Sequence, residues 1–133
     1  MISERNAFRL AVALAGLVPV GAGAAGALLG ANVFADAPFV RDLSLDSHTR
    51  YLSGLLLGIG LAFWGTLGHP EAYGARYRLL GAIVFLGGLS RAVGLMEGEP
   101  DLAMRLAFVM ELAVTPAICF WQARLARRET SKP

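Results

Sequence analysis

Apolar residues gather in four long blocks, separated by polar stretches too short to build a second layer of structure. The blocks run over residues 7–30, 50–68, 76–96 and 101–125. At ~1.5 Å per residue each is long enough to reach across a hydrocarbon core of about 30 Å. The pattern predicts an all-α fold: an integral membrane four-helix bundle of antiparallel up-down topology, with residues 1–133 forming a single four-span membrane domain. With 133 residues and 56% hydrophobic content, no separate soluble domain can be carved out of the chain.

Each block has its own texture. The first is built mainly from alanine, glycine and valine, with Pro19 at its middle, which predicts close helix packing and a mild kink. A basic start, an apolar run and Ala35-Asp36-Ala37 also resemble a secretory leader. The run exceeds the usual leader core and Pro38 would follow the cut, so the first helix is expected to be retained. Residues 31–49 mix Phe34, Phe39, Leu43 and Leu45 with Asp36, Arg41, Asp42 and Asp46, as a segment lying along the interface would. Asp42, Asp46 and His48 match no metal-ligand spacing and read as solvated groups; no metal and no cofactor is expected.

In the second block Gly54, Gly58, Ala62 and Gly65 form a small-residue stripe that predicts a tight seam, and Arg50 shares that stripe at its end. In the third, Gly87, Gly88 and Gly94 share a face with Arg91. In the fourth, Met104, Phe108, Glu111, Thr115, Ile118 and Gln122 fall on one face, and Pro116 predicts a kink beside Glu111.

Charge orients the blocks. With four spans, Arg5, Arg9, Arg76, Arg78, Arg124, Arg127, Arg128 and Lys132 fall on one side, and Asp36, Asp42, Asp46, Glu97, Glu99 and Asp101 on the other. Lysine and arginine mark the cytoplasmic side, so both termini are expected in the cytoplasm and the protein in a bacterial inner membrane. The net charge of +2 comes from helix ends and not from a soluble basic face, so no nucleic acid is implied.

The chemistry lies in the charges that interrupt the apolar blocks. A charge near a span's centre costs about 2.5 to 3.5 kcal/mol on insertion scales, so such groups turn inward and find partners. Arg91 stands five residues before the end of its block and Glu111 nine after Leu102, where the next apolar run starts, which places them within ~6 Å of one depth. They are the expected buried ion pair. Arg50, Arg91 and Glu111 are expected to converge with Thr115 nearby and to hold the polar head of a lipophilic ligand, because two guanidiniums there exceed one carboxylate. Asp46, one turn before Arg50, is the other partner open to that arginine.

The order Arg50-Tyr51-Leu52-Ser53-Gly54, Arg78-Leu79-Leu80, Gly87-Gly88-Leu89-Ser90-Arg91 and Glu111 with Pro116 resembles the bacterial membrane family known as domain of unknown function 4345. The resemblance covers the chain from about Arg50 onward and implies four spans without implying an activity. A looser likeness to DoxX-type proteins rests on span number and glycine content alone.

Three function classes follow. The first is a non-enzymatic binding or accessory protein whose partners are the bilayer, a lipophilic ligand, a larger membrane complex or further copies of the chain. The second is a proton-coupled carrier working as an oligomer through Glu111. An enzyme is disfavoured, since His48 and His69 lie in loops expected on opposite sides and no HExxH, CxxC or serine elbow is present. The lone Cys119 reads as a small core residue.

Overall fold

The computed structural model describes residues 3–34, 42–94 and 98–131, and these are overwhelmingly helical. Four helices follow one another: α1 (Glu4–Leu29), α2 (Leu43–Trp64), α3 (Gly74–Gly94) and α4 (Leu102–Thr130). Short 3-10 turns at Ala31–Phe34 and Pro70–Tyr73 precede α2 and α3, and no strand occurs among the described residues. The stretch Pro70–Gly94 and helices α1 and α4 are long and apolar enough to cross a membrane, consistent with a membrane protein. Helix α2 falls short of that measure, because Asp46, His48 and Arg50 occupy its first two turns.

Helix boundaries depart from the expectation mainly at α2, which begins at Leu43 and not at residue 50. The cause is a cap: the Asp42 carboxylate accepts from the N–H groups of Ser44 and Leu45 at 2.8 and 3.2 Å, satisfying donors that the first turn leaves free. The second half of the expected interfacial segment is thus the start of α2. Asp36, Phe39 and Arg41 lie outside the described residues, as do Met96, Glu97 and Lys132.

The chain forms two compact units, one made of the residues up to Val12 with those from Thr66 onward, the other of Ala13 to Gly65. In the second unit α1 packs along α2. Trp64 Nε1 donates to the Ala13 carbonyl at 3.1 Å, and α1 lies close over the backbone of Ser53 and Leu57 at Gly23. The stripe of α2 that meets α1 is Asp46, Arg50, Ser53, Leu57, Gly60 and Trp64, about one residue round from the expected glycine stripe. Gly54 and Gly58 have nothing within 4 Å of where a Cβ would stand.

The first unit has an aromatic centre. Phe8 and Tyr77 are fully buried, with ring centroids 5.7 Å apart, and Trp121 meets the Phe8 ring edge-on at 5.3 Å. Val12, Leu80, Ile118 and Leu125 are buried in the same unit. Burying each such ring contributes about 2 to 3 kcal/mol, which fixes the start of α1 against α3 and α4. Polar groups reinforce the docking. The Tyr77 and Thr66 hydroxyls lie 2.6 Å apart, and buried Gln122 donates through Nε2 to the Pro70 carbonyl at 3.0 Å.

At one end of this unit, Arg5 pairs with Glu71 at 2.8 Å, Arg9 donates to the Gly68 carbonyl, and Glu4 pairs with Arg128 and, at 4.0 Å, Arg124. The start of α1, the turn before α3 and the last turns of α4 therefore share that end. Away from it the helices expose apolar side chains such as Leu86, Leu89 and Val93, a surface suited to lipid.

Candidate functional site

Helix α3 approaches α4 where α3 offers no side chain. A Cβ on Gly88 would lie 2.9 Å from the Glu111 Cβ and 2.6 Å from a Leu112 methyl, so only glycine permits this closeness. One turn further along α3, Arg91 reaches Glu111. Its Nε donates to Oε2 at 3.0 Å and its Nη2 to Oε1 at 2.9 Å, a side-on pair of parallel hydrogen bonds. The two side chains remain 40% and 19% exposed, so the pair sits at the rim of the unit and not in its core.

The backbone beneath Glu111 is not a plain helix. Met110–Val114 is a π-turn. Pro116 has no N–H to return to the Leu112 carbonyl, and the helix responds by widening: the Met110 carbonyl accepts both the Thr115 N–H and, at 2.8 Å, the Thr115 hydroxyl. Where the sequence predicts a kink, the chain thus takes an extra residue into one turn. Thr115 spends its hydroxyl on this backbone bond and serves the site by holding the turn that carries Glu111.

Arg91, Glu111 and the Thr115 turn therefore come together, whereas Arg50 belongs to the other compact unit and has local partners. Its Nε lies 2.9 Å from Asp46 Oδ2, and its Nη1 donates to the carbonyls of Ala27 and Leu28 at 3.0 and 2.8 Å. Asp46, only 5% exposed, accepts the Ala31 N–H through its other oxygen at 3.0 Å. This clasp closes the C-terminus of α1, where Gly30 turns with φ +76°. The carboxylate that Arg50 needs is thus supplied from one turn away, as the spacing of Asp46 allows, and its surplus charge does not call for a ligand.

The sequence names Asp46 as the other partner open to Arg50, and the structure pairs the two. It does not single out Gly88 as the gap that admits Glu111 or Gln122 as a pin on the turn, although Gln122 is polar on an apolar face. Among the described residues no group of three histidine, cysteine or acidic side chains is placed to hold a metal ion. Cys119 donates through Sγ to the Tyr77 carbonyl at 3.3 Å, tying α4 to α3.

Against known proteins, a family model described as a domain of unknown function (DUF4345) matches residues 7–122. The match extends through α1, further toward the N-terminus than the motifs after Arg50 suggest. No curated protein and no solved structure matches the chain, and the looser DoxX likeness is not shown.

Proposed function

The chain belongs to the DUF4345 family, and we propose that it is a small polytopic inner-membrane binding or accessory protein whose Arg91–Glu111 pair holds the polar head of a lipophilic ligand. The observation that carries this reading is the open edge of Arg91. Its Nε and Nη2 are taken by Glu111, while Nη1 makes no hydrogen bond among the described residues, on a side chain 40% exposed in an apolar stretch. A guanidinium edge facing hydrocarbon leaves donors unmet, and an acid, ester or carbonyl group at the head of a lipid-like molecule would meet them. Thr115 belongs to the site through the turn it holds, and Arg50 stays in the proposal only as the clasp of the neighbouring helix pair.

In this reading the chain crosses the membrane four times with both termini in the cytoplasm. Support comes from the end of the first unit where Arg5, Arg9, Arg124 and Arg128 gather, since arginine-rich ends face the cytoplasm. Helix α2 and the turn after it, residues 50–68, supply the remaining crossing, with Arg50 at its border. A proton-coupled carrier is the second reading. What favours it is the π-turn that carries Glu111, since such turns recur at functional sites.

Purification in mild detergent followed by native mass spectrometry tests the proposal. A retained lipophilic mass that is lost in Arg91→Leu supports binding at the pair. Ligand-free protein whose proteoliposomes acidify only with Glu111 intact would replace it by the carrier.

A further inference from the structure

The basic end of the first unit holds a second feature, distinct from the Arg91–Glu111 pair. Two adjoining grooves of about 420 and 440 Å³ run beside the last turns of α4 and share Phe120 and Arg124. The first is lined further by Arg127, Arg128 and Ser131, the second by Glu4 and Trp121. Phe120, Arg124 and Arg128 recur every fourth residue and Arg127 stands three after Arg124, so the four lie along one side of α4.

Three guanidiniums thus face one carboxylate. Glu4 pairs with Arg128 and only loosely, at 4.0 Å, with Arg124, whose side chain is 66% exposed. Arg127 has no ion pair or hydrogen bond from its side chain among the described residues. The helix C-terminus offsets part of this surplus without cancelling it, because its partial negative charge is small beside two arginines in excess of the carboxylate. One turn toward the apolar part of α4 stands Phe120, 78% exposed, with Trp121 next to it. Cationic groups one turn beyond an exposed aromatic ring match the layering of a phospholipid: phosphate outermost, then glycerol, then acyl chain.

We infer that this trough binds the phosphate of an anionic phospholipid, with Arg124 and Arg127 on the phosphate, Phe120 against the upper acyl chain, and Glu4 as a built-in competitor for Arg124 and Arg128. The competitor separates a site from a merely basic surface, because it makes two substitutions act in opposite directions. Removing an arginine weakens the lipid, and removing the Glu4 charge strengthens it.

The test uses the full chain in mild detergent, with phosphatidylglycerol, phosphatidylcholine and inorganic phosphate as probes and native mass spectrometry as the count of bound lipid. Phosphatidylglycerol is expected to be retained over phosphatidylcholine. Arg127→Gln should lower its retention about fivefold, the worth of one arginine near an anionic surface. The Arg127 side chain has no partner among the described residues, so this variant keeps the fold. Glu4→Gln should raise retention by a similar factor. Equal retention of the two lipids, no response to Arg127→Gln, or a loss in a folded Glu4→Gln each overturns the inference. So does a site that takes inorganic phosphate at millimolar concentration and shows no preference for phosphatidylglycerol. The readout is independent of Arg91, so a lost lipid at one site does not stand for a lost ligand at the other.

Discussion

Replacing Arg91 and Glu111 singly and together should show strong coupling. Removing one member of a fully buried ion pair costs about 3 to 5 kcal/mol, because the survivor is stranded. Here both survivors have a way out. Arg91 lies in the last turn of α3, is 40% exposed and can swing its long stem toward the interface. Glu111 is 19% exposed and can turn its carboxylate toward that open edge. Each single leucine variant should therefore lose less than the buried range, about 2 kcal/mol. The double variant strands nothing and replaces two hydrogen bonds by apolar contact between α3 and α4, so its loss should be under about 1 kcal/mol. The coupling energy is then about 3 kcal/mol, well above the few tenths at which independent sites add. Unfolding in mixed micelles, followed by helical circular dichroism, measures all three variants against the parent. A double variant that loses the sum of the singles, about 4 kcal/mol, would refute the reasoning, because two groups bonded at 2.9 and 3.0 Å cannot be energetically independent.

Gly30→Ala should destabilise by about 2 kcal/mol or more, since φ +76° disfavours a side chain and the new Cβ would collide with the Asp46 carboxylate. Gly54→Ala, with nothing within 4 Å, should stay within about 0.5 kcal/mol of the parent in the same thermal scan. Gln122→Leu should cost about 1 to 2 kcal/mol and speed amide exchange in the Pro70–Tyr73 turn, because the buried Pro70 carbonyl loses its donor. For topology, a C-terminal alkaline phosphatase fusion should be inactive and the matching fluorescent fusion bright; the reverse result would remove the four-span reading.

What the sequence disclosed depended on the range of the forces involved. Helix existence followed from apolar length alone. The meeting of Arg91 with Glu111 could be read from depth, because an antiparallel turn fixes relative height to within a side chain's reach. The seam of α2 could not be read so well: Gly54-Gly58-Ala62-Gly65 and Ser53-Leu57-Gly60-Trp64 are neighbouring stripes, and small residues alone do not say which one a partner helix chooses. The anchor that decides is Trp64 bonding to the Ala13 carbonyl, a contact across fifty-one positions. The start of α2 was missed because polar residues 42–50 read as a loop by hydropathy, although Asp42 followed by Ser44 is a capping signal. Pro116 announced an irregular helix, yet whether it kinks or widens depends on the Thr115 hydroxyl and on Glu111 being drawn toward α3.

If the free edge of Arg91 takes an acceptor atom from a lipophilic ligand, a structure of the chain in lipid nanodiscs, enlarged by a bound antibody fragment, should reveal it. An elongated density is expected along α3 and α4, its polar end within hydrogen-bonding distance of Arg91 Nη1 and the Glu111 bonds intact. An Nη1 covered by protein side chains, with no such density beside it, would leave the Arg91–Glu111 pair as a structural clamp.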